Sequence, residues 1–170
     1  MQKEYIDVCC PTCGGRAQFH EPFRFSHMMR FSVVPENAHL WGRLVVEELY
    51  PEHFSWTQPE TDSPVFHRTT NEVGPGYRLN HRGMLECPKC ETFQAVQIRW
   101  PQAAFWQWTV EGHTLIARNR THAEEILAYL RETPRPPHRK PGLRELPAPL
   151  LKKRASSIAC RRMERTLEAA

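Results

Sequence analysis

The 170 residues hold 40% hydrophobic and 10% aromatic side chains, enough for one domain of ordinary size or two small ones with a modest core. Charge is unevenly placed within a net +4: residues 1–130 carry 12 Lys/Arg against 15 Asp/Glu (−3), and residues 131–170 carry 11 against 4 (+7). Charged side chains stand in MQKEYIDVCC where a secretory leader needs about 7 to 15 apolar residues, and no run approaches the roughly 18 of a membrane span, so the chain reads as soluble and cytoplasmic with no membrane partner.

The first element is DVCCPTCGG, residues 7–15, which offers three thiols: Cys9, Cys10 and Cys13. Its counterpart is LECPKCETF, where Cys87 and Cys90 repeat the spacing of Cys10 and Cys13 after 73 intervening residues. In a cytosol-like chain, paired cysteines at this spacing point to metal ligands rather than disulfides. A two-residue spacing makes a tight turn that aims both sulfurs at one ion, while backbone amides inside the turn offset the thiolate charge. Pro11 and Pro88 pre-set the turn, and Gly14 lets the backbone turn away after the second sulfur; Glu91 stands at the equivalent place in the second knuckle.

These two knuckles resemble the zinc-ribbon class, over roughly residues 4–25 and 77–100. The resemblance implies a structural Zn2+ held by Cys10, Cys13, Cys87 and Cys90, with strands flanking each knuckle. Ala17, Phe19, Phe23 and Phe25 alternate after the first knuckle, and Val96, Ile98 and Trp100 after the second. The 73-residue separation exceeds the usual 15 to 20 or so, but two doublings of loop length cost only about 1.2 kcal/mol in closure entropy. Structural zinc contributes about 10 to 16 kcal/mol, so the intervening segment is read as an insertion carried on the ribbon. Four thiolates close the coordination sphere, which makes the metal structural rather than catalytic. Cys9 is the spare thiol, read as a small buried residue ending a strand, with a redox-sensitive thiol as the alternative.

Within the insertion, residues 26–76, RLVVEELY is a strand or a short helix, and eight residues cannot decide between them. His39, His53, His67 and His81 lack a short metal spacing. After the second knuckle, Trp106, Trp108 and Val110 alternate with Phe105, Gln107 and Thr109, the pattern of a strand. Its tryptophans are expected to build core; the functional alternative is base stacking. Residues 121–133 predict a helix with Thr121 and Glu124 as a capping box, an apolar stripe of Ala123, Ile126, Leu127 and Leu130, and Pro134 as the stop.

TPRPPHRKPGLRELPAP, residues 133–149, is extended by its six prolines and serves as a linker or strap. Residues 150–170 form a basic amphipathic helix with Leu151, Ala155, Ile158, Ala159, Met163 and Leu167 on one side. That helix lies on phosphates, docks on a partner's groove, or packs on its own domain.

The expectation is therefore an α+β chain: a small antiparallel zinc-ribbon sheet with a long insertion between its knuckles, followed by an aromatic strand and two helices. Its organisation is ribbon with aromatic strand and helix over 1–25 and 77–132, insertion over 26–76, linker over 133–149, and basic helix over 150–170. No catalytic residue is assigned. The chain lacks a defensible Ser-His-Asp order, a glycine-rich phosphate loop and a His-Glu-x-x-His, and His122-Ala-Glu124 follows both knuckles where a zinc deaminase needs it upstream. The function read from sequence is non-enzymatic binding of DNA or RNA through Arg135, Arg139, Lys140, Lys152, Lys153, Arg154, Arg161, Arg162 and Arg165. The alternative is a protein-interaction or adaptor module.

Overall fold

Each knuckle is the tip of a β-hairpin, and the two hairpins join side by side. The computed structural model describes residues 5–58, 66–67, 72–73, 82–136, 141–144 and 146–170. Among these, strands β1 (Tyr5–Cys9) and β2 (Arg16–His20) form the first hairpin. The insertion supplies β3 (Phe23–His27), β4 (His39–Trp41) and β5 (Leu44–Glu48), then the two-residue strands β6 (Phe66–His67) and β7 (Glu72–Val73). The second hairpin is β8 (Arg82–Cys87) with β9 (Thr92–Gln97). A third, β10 (Trp106–Val110) with β11 (His113–Ala117), precedes helices α1 (Arg120–Arg131) and α2 (Lys153–Ala169). The protein is α+β with antiparallel sheets, as the sequence implies. No helix among the described residues is long and apolar enough to cross a membrane.

In the ribbon, β2 pairs β8 with Phe19 opposite Leu85, giving one antiparallel sheet ordered β1-β2-β8-β9. Strand alternation sends Val8, Ala17, Phe19, Leu85 and Cys87 to one face, where they bury with Cys10 against Trp100 and Ala103. At Gly83 that packing leaves no room: an added Cβ would overlap the His20 carbonyl oxygen and stand 2.6 Å from Phe19 Cζ. Gly83→Ala is therefore expected to destabilise by about 1 to 3 kcal/mol in a denaturant titration, since backbone rather than a mobile side chain must yield. An unchanged midpoint would show that β2 and β8 can separate freely.

Phe23 and Phe25 do not continue the ribbon strand beyond Phe19. Pro22 has no amide to extend the ladder, so the chain leaves the sheet there and Phe23 opens β3 of a second sheet, ordered β3-β5-β4. RLVVEELY supplies β5, and its alternation buries Leu44 and Val46 with Phe23, Trp41 and Trp56. Glu47 and Glu48 face opposite ways: Glu47 lies 3.7 Å from Arg24, and Glu48 accepts from the Trp56 amide at 2.7 Å and sits 3.0 Å from His39 Nε2. The adjacent carboxylates are thus separate structural contacts.

The largest core lies after the ribbon. Trp106, Trp108 and Val110 point inward from β10 and meet Leu115 and Ala117 of β11, with Ala123, Ile126, Leu127, Tyr129 and Leu130 of α1. The same core takes Ala155, Ala159, Cys160, Met163 and Leu167 from α2, and Leu143, Leu146 and Leu150 from the segment before it. The described part of the proline-rich stretch is therefore a strap bound to this core. His122 fastens it: its Nδ1 accepts from the Arg118 amide at 3.2 Å, which leaves Nε2 to donate to the Gly142 carbonyl at 2.9 Å.

Helix α1 starts one residue earlier than the sequence implies and with a different cap. Asn119 Oδ1 accepts from the His122 amide at 2.9 Å, while Thr121 is already helical and Glu124 pairs with Arg120 at 3.0 Å. An extended Asn is among the best N-caps, and it pre-empts Thr121. The buried Asp7 carboxylate of β1 accepts from the Arg120 amide at 3.2 Å and from Trp106 Nε1 at 2.6 Å. A negative group thus sits at the helix N-terminus, where the peptide dipoles favour it, and joins ribbon to helix.

Candidate metal centre

Cys10 and Cys13 stand on the turn between β1 and β2, and Cys87 and Cys90 flank the turn between β8 and β9. Side-by-side pairing of the hairpins brings the turns together. The four sulfurs lie within 4.8 Å of one another, with Cys10 and Cys90 3.7 Å apart and Cys13 and Cys87 also 3.7 Å apart. A disulfide needs about 2.05 Å, so no pair is bonded. A tetrahedron of sulfurs about 2.3 Å from a central ion has edges of about 3.8 Å, and the observed spacing fits that figure. The donor set suits a metal ion whose ligands are all thiolates.

Local structure aims the sulfurs. Gly14 has φ +68° and donates its amide to the Cys10 carbonyl at 2.9 Å, while the Gly15 amide donates to Cys13 Sγ at 3.4 Å. In the second knuckle Glu91 takes the matching left-handed place at φ 56°. That conformation is free of strain for glycine and costs a side-chain-bearing residue about 1 to 2 kcal/mol. Thr92 Oγ1 lies 3.0 Å from Cys90 Sγ, a contact that no sequence pattern announces.

The thiols also compete. Burial opposes ionisation of Cys10, but the Cys13 and Thr12 amides and the Cys87 and Cys90 thiols outweigh it and bring Cys10 down to about 6. The Gly15 amide favours the Cys13 thiolate, yet burial and the sulfurs of Cys87, Cys90 and Cys10 push it up to about 11. Cys90 is lowered, foremost by the Thr92 hydroxyl. Four thiolates this close repel one another, and a bound cation removes that conflict by letting all four ionise together.

Cys9 is outside the cluster. It ends β1 as expected, but it is exposed rather than buried, because alternation turns Val8 into the core and Cys9 to the other side. Its sulfur lies 3.9 Å from the Ala104 carbonyl, and partial desolvation of the sulfur raises its pKa. Cys160 is buried in the large core, and burial, then Glu164, raise its thiol.

No family model, curated protein or solved structure matches the chain.

The basic residues divide by position. Arg139 and Lys140 lie outside the described residues. Arg135 is half-buried and donates to the carbonyls of Leu130 and Leu151 and to Ser156 Oγ, clasping the end of α1 to the approach of α2. Arg162 donates to the Thr109 carbonyl, and Arg154 lies 3.4 Å from Glu111 while 89% of its side chain remains exposed. Lys152, Lys153, Arg161 and Arg165 are exposed. With about 100° per residue, Arg154, Arg161 and Arg165 fall within a narrow sector opposite the buried face of α2, over about 16 Å of helix.

Proposed function

We propose that the four cysteines hold one structural Zn2+ and that the protein is a non-enzymatic nucleic-acid-binding protein. Donor chemistry supports zinc: a partly buried all-thiolate tetrahedron suits a borderline-soft ion, and four thiolates leave no position for water or substrate. The observation that carries the binding assignment is the outward row of Arg154, Arg161 and Arg165 on a helix whose other side is fixed in the core. A guanidinium presents a planar fork of donors to phosphate oxygens, and a helix held by its own core presents several without ordering cost. Lys152 and Lys153 extend the charge toward the helix start. Trp106 and Trp108 supply core, so their rings contribute nothing to base stacking.

A salt titration tests this reading. Affinity for mixed-sequence duplex or single-stranded nucleic acid should fall steeply with salt. Changing Arg154, Arg161 and Arg165 together to Ala should weaken binding across sequences and flatten the duplex salt slope by about 2.7. Salt-independent affinity, or a triple variant that binds normally, overturns it. A protein-interaction module is the second reading, favoured by Met29 and Val33, which are 88% and 84% exposed on the insertion, where Leu40 is exposed too. Binding that persists at high salt and is lost in Met29→Ser with Val33→Ser belongs to that reading.

A further inference from the structure

Strand β9 ends the ribbon sheet: β8 pairs one edge, and among the described residues no strand pairs the other. Its sequence, TFQAVQ, holds no charge and no proline, and most of its side chains are exposed, with Phe93 at 54%. Three other sheet edges carry some protection. Residues 103–105 bond β1 through Cys9 and Asp7, Arg162 caps a carbonyl of β10, and β4 is only three residues long. Folded proteins protect open edges with charge, proline, bulges or short length, because unpaired amides and carbonyls recruit another strand. β9 has none of these devices within its length.

We infer that β9 pairs antiparallel with β9 of a second copy of this chain, making one continuous eight-stranded sheet about a two-fold axis. The occupant is chosen by charge. Glu91 precedes the strand and Arg99 follows it by two residues, both are exposed, and neither has an ion-pair partner among the described residues. When the axis passes through Ala95, antiparallel pairing of Thr92–Gln97 brings the turn that carries Glu91 to the end of the other copy's strand, where Arg99 lies two residues beyond it, and symmetry repeats the approach at the far end. The Phe93 ring meets Tyr50 at 6.2 Å and His53 at 6.4 Å within its own chain, and the same register sets it opposite Gln97 and diagonal to Ala95 of the other copy, which cover part of what remains exposed. Facing residues point to the same side of the sheet, which keeps Phe93, Ala95 and Gln97 together and the pleat continuous. A strand of a different protein would have no reason to match both end charges, whereas self-pairing supplies them automatically.

Sedimentation velocity on the full metal-loaded chain, under reductant, without nucleic acid and at low salt, tests the inference. The wild-type chain should show a concentration-dependent monomer–dimer equilibrium in the micromolar range. Ala95→Lys sets two ammonium groups face to face on the axis and should abolish the dimer. Glu91→Arg or Arg99→Glu alone should weaken it about tenfold, because each reverses an exposed pair at both ends. Combining the two should return the dissociation constant to within about threefold of wild type. One metal per chain and unchanged circular dichroism establish that each variant is folded. A wild-type chain that stays monomeric at 100 μM or so, an Ala95→Lys chain that still dimerises, or a charge swap that fails to restore association overturns the inference. These outcomes are independent of nucleic-acid binding, which the α2 arginine variant reads separately.

Discussion

Removing the metal with a chelator, or changing Cys87 to Ser, should dismantle the ribbon sheet. The core of that sheet is small: Val8, Cys10, Ala17, Phe19, Leu85 and Cys87 are its buried members, and two of the six belong to the candidate metal site. Phe19 and Leu85 contribute about 2 to 3 kcal/mol each by burial, less than the entropy of ordering four strands from two distant hairpins. If the four cysteines hold zinc as proposed, the site supplies about 10 to 16 kcal/mol, comparable to the whole stability of an ordinary domain, and its loss should decide whether the sheet exists. The helices should outlast it, because their buried residues form a larger and separate core. The expected record is one metal per chain, loss of strand signal on chelation with much of the helical signal retained, and a thermal transition that splits in two. Cys9→Ser should behave as wild type, since Cys9 stands outside the four-sulfur cluster. A chelated chain with an unchanged melting profile would remove the metal from any structural role.

What the sequence made legible here was whatever is encoded within a few residues. The clustering of Cys10, Cys13, Cys87 and Cys90 is readable because each C-x-x-C pair is a local turn, and the buried stripe of α1 because 3.6-residue periodicity is local. The interactions that orient the parts are remote in sequence. Asp7 meets Trp106 across 99 residues and the Arg120 amide across 113, and the Asn119 side chain reaches the Tyr5 carbonyl across 114. No window of neighbours contains them. The cap of α1 is a local matter by contrast: Asn119 and Thr121 both lie at the helix start, and the extended Asn119 takes the His122 amide. The proline-rich segment reads from sequence as a linker or a strap, and Leu143, Leu146 and Leu150, at spacings of three and four, pack its described part on the large core. For α2, sequence gave the arginine side and the apolar side of the helix without saying what the apolar side covers; its docking onto β10 and α1 turns a tethered basic segment into a fixed basic surface.

Trp106→Ala should be the most damaging single change outside the metal ligands, for two separable reasons. The side chain is fully buried, with Phe105 edge-on at 5.1 Å, Trp108 at 6.3 Å and the Arg16 guanidinium 6.0 Å from its ring. Emptying that space costs about 3 to 5 kcal/mol. The indole also donates to the buried Asp7 carboxylate at 2.6 Å, and taking that donor away leaves a desolvated charge short of a partner, worth about 1 to 3 kcal/mol more. Trp106→Phe isolates the second effect, keeping most of the packing while losing the donor, and should destabilise by roughly 1 to 3 kcal/mol with a smaller added cavity cost. Because Asp7 lies on β1 and also holds the first turn of α1, the loss should reach both halves. Hydrogen exchange should quicken at the start of α1 as well as along β1, whereas Trp108→Phe, which gives up only a bond to the Thr166 hydroxyl near the far end of α2, should leave β1 protected. If Trp106→Phe lowered stability with no faster exchange in β1, the indole would be acting through packing alone and the carboxylate bond would not be what couples ribbon to helices.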